Sequence, residues 1–170
     1  MFDDKLLVYK IKTKDEQAFN TLYYKYAPLI KYIIFDITKN NDVIDDICQI
    51  VFMKIWNNIE NFKGGSFKYY IIQIAKNESK NYIRTKETEK KYLGIYDFFS
   101  NYHLDGKIWI IIRNELSELE QKIIFLHFIY NINFLDIANF LNIKKTTCYN
   151  IYKEALKKLK KHIKGDEINE

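Results

Sequence analysis

Basic and aromatic residues alternate around two glycines in residues 62–70, FKGGSFKYY. This combination suits single-stranded DNA, because cations pair with phosphates while aromatic rings stack on unpaired bases. Two adjacent glycines also let a loop fold back without Cβ clashes. The same residues suit a plain turn whose rings fill a hydrophobic core, so the pattern alone leaves both interpretations open.

A second pattern, from Asn133 to Lys161, has the spacing of a helix-turn-helix. Ile143 lies in the predicted turn, and Asn142 suits a left-handed backbone at the end of the first helix. Such a motif places its second helix in the major groove of duplex DNA. The predicted outward positions on that helix are Lys144, Lys145, Thr146, Tyr149, Asn150 and Lys153. The alternative is a helical hairpin with a lysine-rich surface.

The stretch from Ile44 to Trp56 is apolar around most of its helical circumference. A surface helix ordinarily leaves well over half of its circumference polar. This helix is therefore either wholly buried in its own domain or packed against two partners. We favour the second interpretation, with a protein-binding face that contains Gln49, Met53 and Trp56.

These patterns lie on predicted helices, and five glycines with one proline disfavour a β-rich fold. Capping residues predict helix starts at Asp15, Asn41, Ser66, Ser117 and Asn133. We predict an all-α fold of two small helical domains, residues 1–84 and 107–164. Residues 85–106 are the predicted linker, and residues 165–170 are a tail.

Composition narrows the function classes. The formal charge of +5 is compatible with nucleic acid, and the lysines concentrate in residues 144–164. Neither cysteine lies at metal-ligand spacing from a histidine, and motifs of catalysis or phosphate binding do not occur. We expect no enzyme activity, catalytic residues, metal or cofactor. The apolar runs are too short to cross a bilayer, so we expect no membrane insertion and a cytoplasmic location.

Three passages together resemble the extracytoplasmic-function branch of the bacterial sigma-70 factors. They are KTKDEQAFNTLYYKYAPLI, the stretch VIDDICQIVFMKIWNNIENFKGGSFKYYIIQIAKNESKNYIR, and LSELEQKIIFLHFIYNINFLDIANFLNIKKTTCYNIYKEALKKLK. They cover most of the chain in the family's order. The resemblance implies a region 2 helical bundle followed by a region 4 helix-turn-helix domain.

The resemblance also implies roles for residues. Core RNA polymerase would contact Asp46, Gln49, Phe52, Met53 and Trp56. The unpaired −10 promoter strand would meet Lys63, Ser66, Phe67, Lys68, Tyr70, Lys76, Asn77, Lys80 and Arg84, with Asn77 as the base-reading residue. The −35 duplex would meet the six outward positions of the second helix. Partners would be core polymerase, promoter DNA and, as is common in the family, an anti-sigma factor.

Two other function classes remain as alternatives. A helix-turn-helix regulator that acts without polymerase would leave the two-faced helix and the aromatic loop unexplained. An interaction protein would leave the basic recognition helix without a use. The leading hypothesis is an alternative sigma factor that directs promoter-specific initiation.

Overall fold

A computed structural model describes residues 3–85 and 106–166, with side chains described to residue 161 and, in the second range, from residue 110. The chain divides into two compact units, Met1–Phe99 and Ser100–Glu170. No strand occurs in the two described ranges, which confirms the all-α prediction. Most of the predicted linker, residues 86–105, lies outside the described residues.

The first unit contains four helices within residues 3–85. They are α1 (Asp4–Lys12), α2 (Glu16–Thr38), α3 (Ile44–Asn58) and α4 (Phe67–Thr85). Short 3-10 turns, Asn41–Val43 and Ile59–Asn61, flank α3. Helix α1 is not among the predicted elements, although Leu7, Val8 and Ile11 form its buried stripe.

Local capping explains where these helices begin. The Asp15 side chain accepts a hydrogen bond from the backbone N–H of Ala18, as predicted for the start of α2. Ser66 accepts from the backbone N–H of Tyr69 at the start of α4. The cap before α3 differs by one residue from the prediction, because Asn40 and not Asn41 caps the 3-10 turn.

The core of the first unit forms where α2, α3 and α4 pack on one another, with α1 lying against α2. Its members are aliphatic side chains, each of which contributes about 1.5–3 kcal/mol on full burial. The most completely buried include Leu22, Ile30, Ile33, Val51, Ile55, Ile71 and Ala75. This three-helix core fixes the directions of α3 and α4, whose outer faces carry the predicted sites.

The second unit contains α5 (Gly106–Glu115), α6 (Glu118–Ile124), α7 (Phe134–Leu141) and α8 (Lys145–Asp166). A π-helical turn, Phe125–Ile129, continues α6. Helix α8 is longer than predicted and includes the first two residues of the predicted tail, Gly165 and Asp166. Residues 167–170 lie outside the described residues.

The predicted caps of this unit are confirmed. Ser117 and Glu120 form the capping box at the start of α6. Asn133 accepts from the backbone N–H of Asp136 at the start of α7. Asn142 has the left-handed backbone expected of it, with φ of 57°, and ends α7.

Among the described residues, no helix combines the length and hydropathy needed to cross a bilayer. The same ranges contain no group of three or more His, Cys, Asp or Glu side chains that could hold a metal ion.

Candidate functional site

Helix α3 has a buried face and an exposed apolar face. Its buried face carries Ile44, Ile47, Cys48, Val51, Phe52 and Ile55. On the opposite side, Met53 is 50% exposed and Ile50 is 46% exposed, next to the exposed polar side chains of Asp46 and Gln49. The helix is thus not enclosed by its own unit. We name the exposed set Asp46, Gln49, Ile50 and Met53 the α3 surface.

Asp45 and Asp46 are adjacent in sequence but differ in environment. The Asp45 carboxylate lies 2.7 Å from Lys31 Nζ and so joins the start of α3 to α2. The hydrogen bond to Asp45 raises the pKa of Lys31. Asp46 lies on the exposed side of the helix. Successive helical residues diverge by about 100°, so the two carboxylates serve different surfaces.

Trp56 lies at the margin of the α3 surface and is half-buried. Its ring packs edge-on against Phe19, with 4.8 Å between centroids, and Lys14 Nζ lies 5.0 Å from its centroid. Lys14 also donates a hydrogen bond of 2.7 Å to the Trp56 carbonyl. These contacts fix the indole while leaving part of it accessible to a partner.

Phe52 differs from the prediction of an exposed polymerase contact. It is only 3% exposed and packs against Phe19 and Tyr23, with centroid distances of 6.2 Å and 4.7 Å. Its ring supports the neighbouring surface from within. The sequence-based set missed Tyr23 and Tyr24, which are 40% and 80% exposed. The sequence pattern left the exposure of Tyr23 ambiguous, because Tyr23 falls on the apolar stripe of α2.

The glycine loop, residues 62–66, has a backbone that requires its glycines. Gly64 and Gly65 have backbone φ angles of 114° and 96°, which residues other than glycine rarely adopt. No atom lies within 4 Å of a Cβ built at either position, so the space next to the two glycines is open. Lys63 is exposed at the loop's start, and Ser66 caps α4 at its end.

Three aromatic rings pack beneath this loop. Phe62 lies 5.5 Å from Phe67 and 5.1 Å from Tyr70 between ring centroids. Phe67 is only 4% exposed, contrary to the expectation that it meets DNA, because Tyr26 covers it from α2. Phe62 and Tyr70 are half-buried and retain accessible ring surface. The interpretation that these rings fill a hydrophobic core thus holds for Phe67 but not for Phe62 and Tyr70.

Helix α4 continues from the loop with a polar, cationic face. Asn77, Lys80 and Arg84 are exposed at helical spacing that places them on the same side as Tyr70. Lys76 is half-buried beside this face, whereas Lys68, also half-buried, lies on the other side of α4, where its charge acts on Asp4. Burial lowers the pKa of Lys76, and the nearby charge of Lys80 lowers it further. Cations that repel one another in this way favour a bound anion such as phosphate.

In the second unit, α7 and α8 form the predicted helix-turn-helix. Ile137, Ala138, Cys148 and Ala155 are buried between the helices, and the small alanines allow a close crossing. The six predicted outward residues are all exposed: Lys144, Lys145, Thr146, Tyr149, Asn150 and Lys153. The turn and the exposed face match the geometry of a major-groove reader.

An aromatic cluster supports α8 on one flank. Phe134 stacks on His127 at 4.1 Å and meets Tyr152 and Tyr149 edge-on at 5.0 Å and 5.3 Å. Lys153 Nζ lies 5.7 Å from the centroid of Tyr149. Tyr149 is therefore held in place although it is 46% exposed. The cluster was not predicted, since its members come from three separate segments.

Comparisons with known proteins bear on these surfaces. A family model described as sigma-70 region 2 matches residues 22–89, which include α3, the glycine loop and α4. The matched segment is thus similar to region 2 of the sigma-70 family.

Two proteins with similar sequences indicate which kind of sigma factor the chain resembles. The chain is 35% identical over 81 residues to the extracytoplasmic-function (ECF) RNA polymerase sigma-E factor of Haemophilus influenzae, covering 47% of this chain and 42% of the relative. It is 31% identical over 81 residues to that of Escherichia coli strain K12, with the same coverages. The chain thus spans less than half the length of these relatives. Within these limits, the chain is similar to ECF-type sigma factors and to the sigma-70 region 2 family.

Two solved structures share the fold across most of the chain. The structure of CnrH in complex with the cytosolic domain of CnrY has a TM-score of 0.58 and 15% identity, and covers 96% of this chain and 98% of that one. The sigma factor RpoE in complex with the anti-sigma factor NepR, from Bartonella quintana, has a TM-score of 0.57 and 19% identity. It covers 86% of this chain and 96% of the other.

Proposed function

We propose that this protein is an alternative sigma factor that binds core RNA polymerase and directs promoter-specific transcription initiation in the cytoplasm. The observation that carries the proposal is the exposed α3 surface beside the glycine loop in one matched segment. In this function the protein recognises and positions DNA and catalyses no reaction. Initiation chemistry belongs to the polymerase.

The α3 surface is the proposed polymerase contact. Met53 and the accessible part of Trp56 supply apolar area that loses water on docking, while Asp46 and Gln49 supply directional polar groups. Aromatic residues near the centre of such interfaces often dominate the binding free energy. Phe52, from beneath, keeps this surface rigid.

The glycine loop and α4 are the proposed site for the unpaired −10 strand. Accessible ring surface on Phe62 and Tyr70 allows a base to stack, and Asn77 offers an amide to a base edge. Lys63, Lys68, Lys76, Lys80 and Arg84 supply cations for the phosphates, and Ser66 shapes the loop. Phe67 supports this site from within and does not touch DNA.

The free energies of base stacking show why core polymerase is needed to open a promoter. Each stacking step of duplex DNA is worth about 1.4 kcal/mol, so opening a promoter bubble costs well over ~10 kcal/mol. Stacking one captured base on an aromatic ring returns about 1–3 kcal/mol. The chain therefore stabilises a bubble whose opening depends on the grip of the core enzyme.

Helix α8 is the proposed reader of the −35 duplex. Lys144 and Lys145 would meet phosphate or guanine, and Asn150 or Tyr149 would meet base edges. One good bidentate contact discriminates between bases by about 1–3 kcal/mol. Thr146 and Lys153 complete the exposed face.

We further propose an anti-sigma protein as a regulatory partner, because the similar RpoE structure contains one. A helix-turn-helix regulator that acts without polymerase is not favoured, since it gives no role to the α3 surface.

The decisive experiment combines the purified chain with core polymerase and measures run-off transcription from candidate promoters. Gln49→Ala should weaken core binding while leaving duplex binding by the same full-length chain unchanged. Asn114→Ala, at an exposed position of α5, serves as the control. Failure of the wild-type chain to bind core polymerase would refute the proposal.

A further inference from the structure

The last side chain of helix α1 contacts the start of the glycine loop. Lys12, the last residue of α1, donates a hydrogen bond of 2.8 Å from Nζ to the main-chain carbonyl of Phe62. The two residues are 50 positions apart in sequence. Phe62 immediately precedes Lys63 and the two glycines, so this bond fixes the point from which the loop departs.

The other end of α1 reaches the far side of the same loop. The Asp4 carboxylate accepts hydrogen bonds from Lys25 Nζ at 2.7 Å and from the Tyr26 hydroxyl at 2.6 Å. The Tyr26 ring then packs edge-on against Phe67, with 5.8 Å between centroids. Phe67 is the first residue of α4, directly after the loop. Helix α1 thus contacts the first residue of the loop directly and, through Tyr26, the residue that follows the loop.

The centre of the loop differs from its two ends, which the bond from Lys12, the ring contacts of Phe62 and the Ser66 cap restrain. Gly64 and Gly65 lack side chains, and no atom would contact a Cβ at either position. Glycine loses more conformational freedom on ordering than other residues. A loop that is ordered before DNA arrives avoids that loss on binding.

We propose that Lys12 is a positioning residue for capture of unpaired DNA. Its ammonium holds the Phe62 carbonyl and keeps the glycine loop in the conformation that receives a base. This role rests on the proposed function of the loop. It predicts that the side chain acts through Phe62 and makes no phosphate contact of its own.

Three variants of the full-length chain test this role. Lys12→Met removes the donor, Lys12→Arg retains a cationic donor, and Lys5→Met removes one charge from an exposed position of the same helix. Two measurements apply to each. The first is binding of a single-stranded promoter oligonucleotide by the complex with core polymerase, over a series of salt concentrations. The second is the rate of tryptic cleavage after Lys63 without DNA.

We expect Lys12→Met to weaken strand binding about tenfold, the scale of one hydrogen bond to a charged group. The salt dependence should stay unchanged, and cleavage after Lys63 should become faster because the loop opens more often. Lys12→Arg and Lys5→Met should both behave like the wild type. A general loss of stability would instead accelerate cleavage throughout the first unit.

Other outcomes overturn the proposal. A fall of about 0.7 in the salt slope would make Lys12 a direct phosphate contact. If the rate of cleavage after Lys63 were equal in all variants, the role of Lys12 would be refuted but the proposed function would stand. If the wild type did not bind the strand, the proposed function itself would be refuted. If Lys12→Met does not fold, Lys12→Gln compared with Lys12→Arg carries the same test, because glutamine is shorter and lacks the charge.

Discussion

Lys158 Nζ lies 2.8 Å from Glu120 Oε1 and joins the middle of α8 to the first turn of α6. Glu120 is also the capping-box acid that accepts the backbone N–H of Ser117 at 2.8 Å. One buried carboxylate therefore both begins α6 and holds the recognition helix against it.

Because of this carboxylate, we expect the second unit to lose folding stability in acid. Burial alone would raise the pKa of Glu120, but the hydrogen bonds from Lys158 and Ser117 outweigh it and hold the pKa below the usual 4.5. Its contribution to folding is complete above pH 4.5 and is lost as the pH falls through the lower, folded-state pKa. Glu120→Gln should lower the free energy of unfolding at pH 7 by about 1 kcal/mol and flatten the acid limb of a stability curve.

Chemical denaturation followed by circular dichroism at several pH values measures this effect. Glu154→Gln is the matched control, because Glu154 pairs with Lys157 at 2.6 Å on an exposed surface. An exposed pair of this kind contributes little, so the control should leave the curve unchanged. A Glu120→Gln curve parallel to that of the wild type at every pH would contradict the assignment.

Phe52 and Met53 are neighbours on α3 with opposite environments, and their alanine variants should separate folding from binding. Phe52→Ala should destabilise the first unit by about 3–5 kcal/mol, because it leaves a cavity between Phe19 and Tyr23. Met53→Ala should leave thermal stability near that of the wild type and weaken binding to core polymerase. Calorimetry and a polymerase binding titration measure the two effects. Loss of stability in Met53→Ala would show that α3 is more enclosed than its exposure indicates.

Replacing Gly65 with alanine should test the shape of the glycine loop. A Cβ at this position meets no atom, so the cost is backbone strain at φ of 96° and amounts to about 1–2 kcal/mol. We expect Gly65→Ala to lower the melting temperature modestly and to reduce binding of single-stranded promoter DNA. Lys63→Ala, in the same loop, should leave the melting temperature unchanged. An unchanged melting temperature for Gly65→Ala would mean that the loop adopts another backbone conformation.

The proposed duplex contact of α8 predicts two different effects on duplex binding. Lys144→Ala should reduce the slope of log affinity against log salt by about 0.9, because one proposed phosphate contact is lost. Asn150→Ala should leave that slope unchanged and reduce discrimination between −35 sequences. Fluorescence anisotropy with matched and mutated duplexes measures both quantities. Lys122→Ala, on α6, is the control, and an equal change of slope in that variant would point to net charge alone.

Local signals explain which parts of the fold were predictable. Asp15, Ser66, Ser117 and Asn133 each bond a backbone N–H a few residues away, so their roles depend on the adjacent sequence. The left-handed Asn142 is likewise a local property. These residues define the helices and the helix-turn-helix without any knowledge of tertiary contacts.

The candidate sites were less predictable because burial of a ring depends on distant residues. Helix α3 presents apolar side chains in most directions, and contacts with Phe19 and Tyr23 on α2 place Phe52 on its buried side. Tyr26 does the same for Phe67. The bond from Lys12 to Phe62 spans 50 residues, and no periodicity indicates it.

Both cysteines, Cys48 and Cys148, are free and buried, one in each unit. Burial raises the pKa of Cys48 to about 11 and also raises that of Cys148. At neutral pH both thiols therefore stay protonated and shielded from alkylating dyes. A cysteine introduced at Lys63 or Asn150 would become the one rapidly labelled position, so a fluorophore could report on either proposed DNA-binding surface without removal of a native thiol.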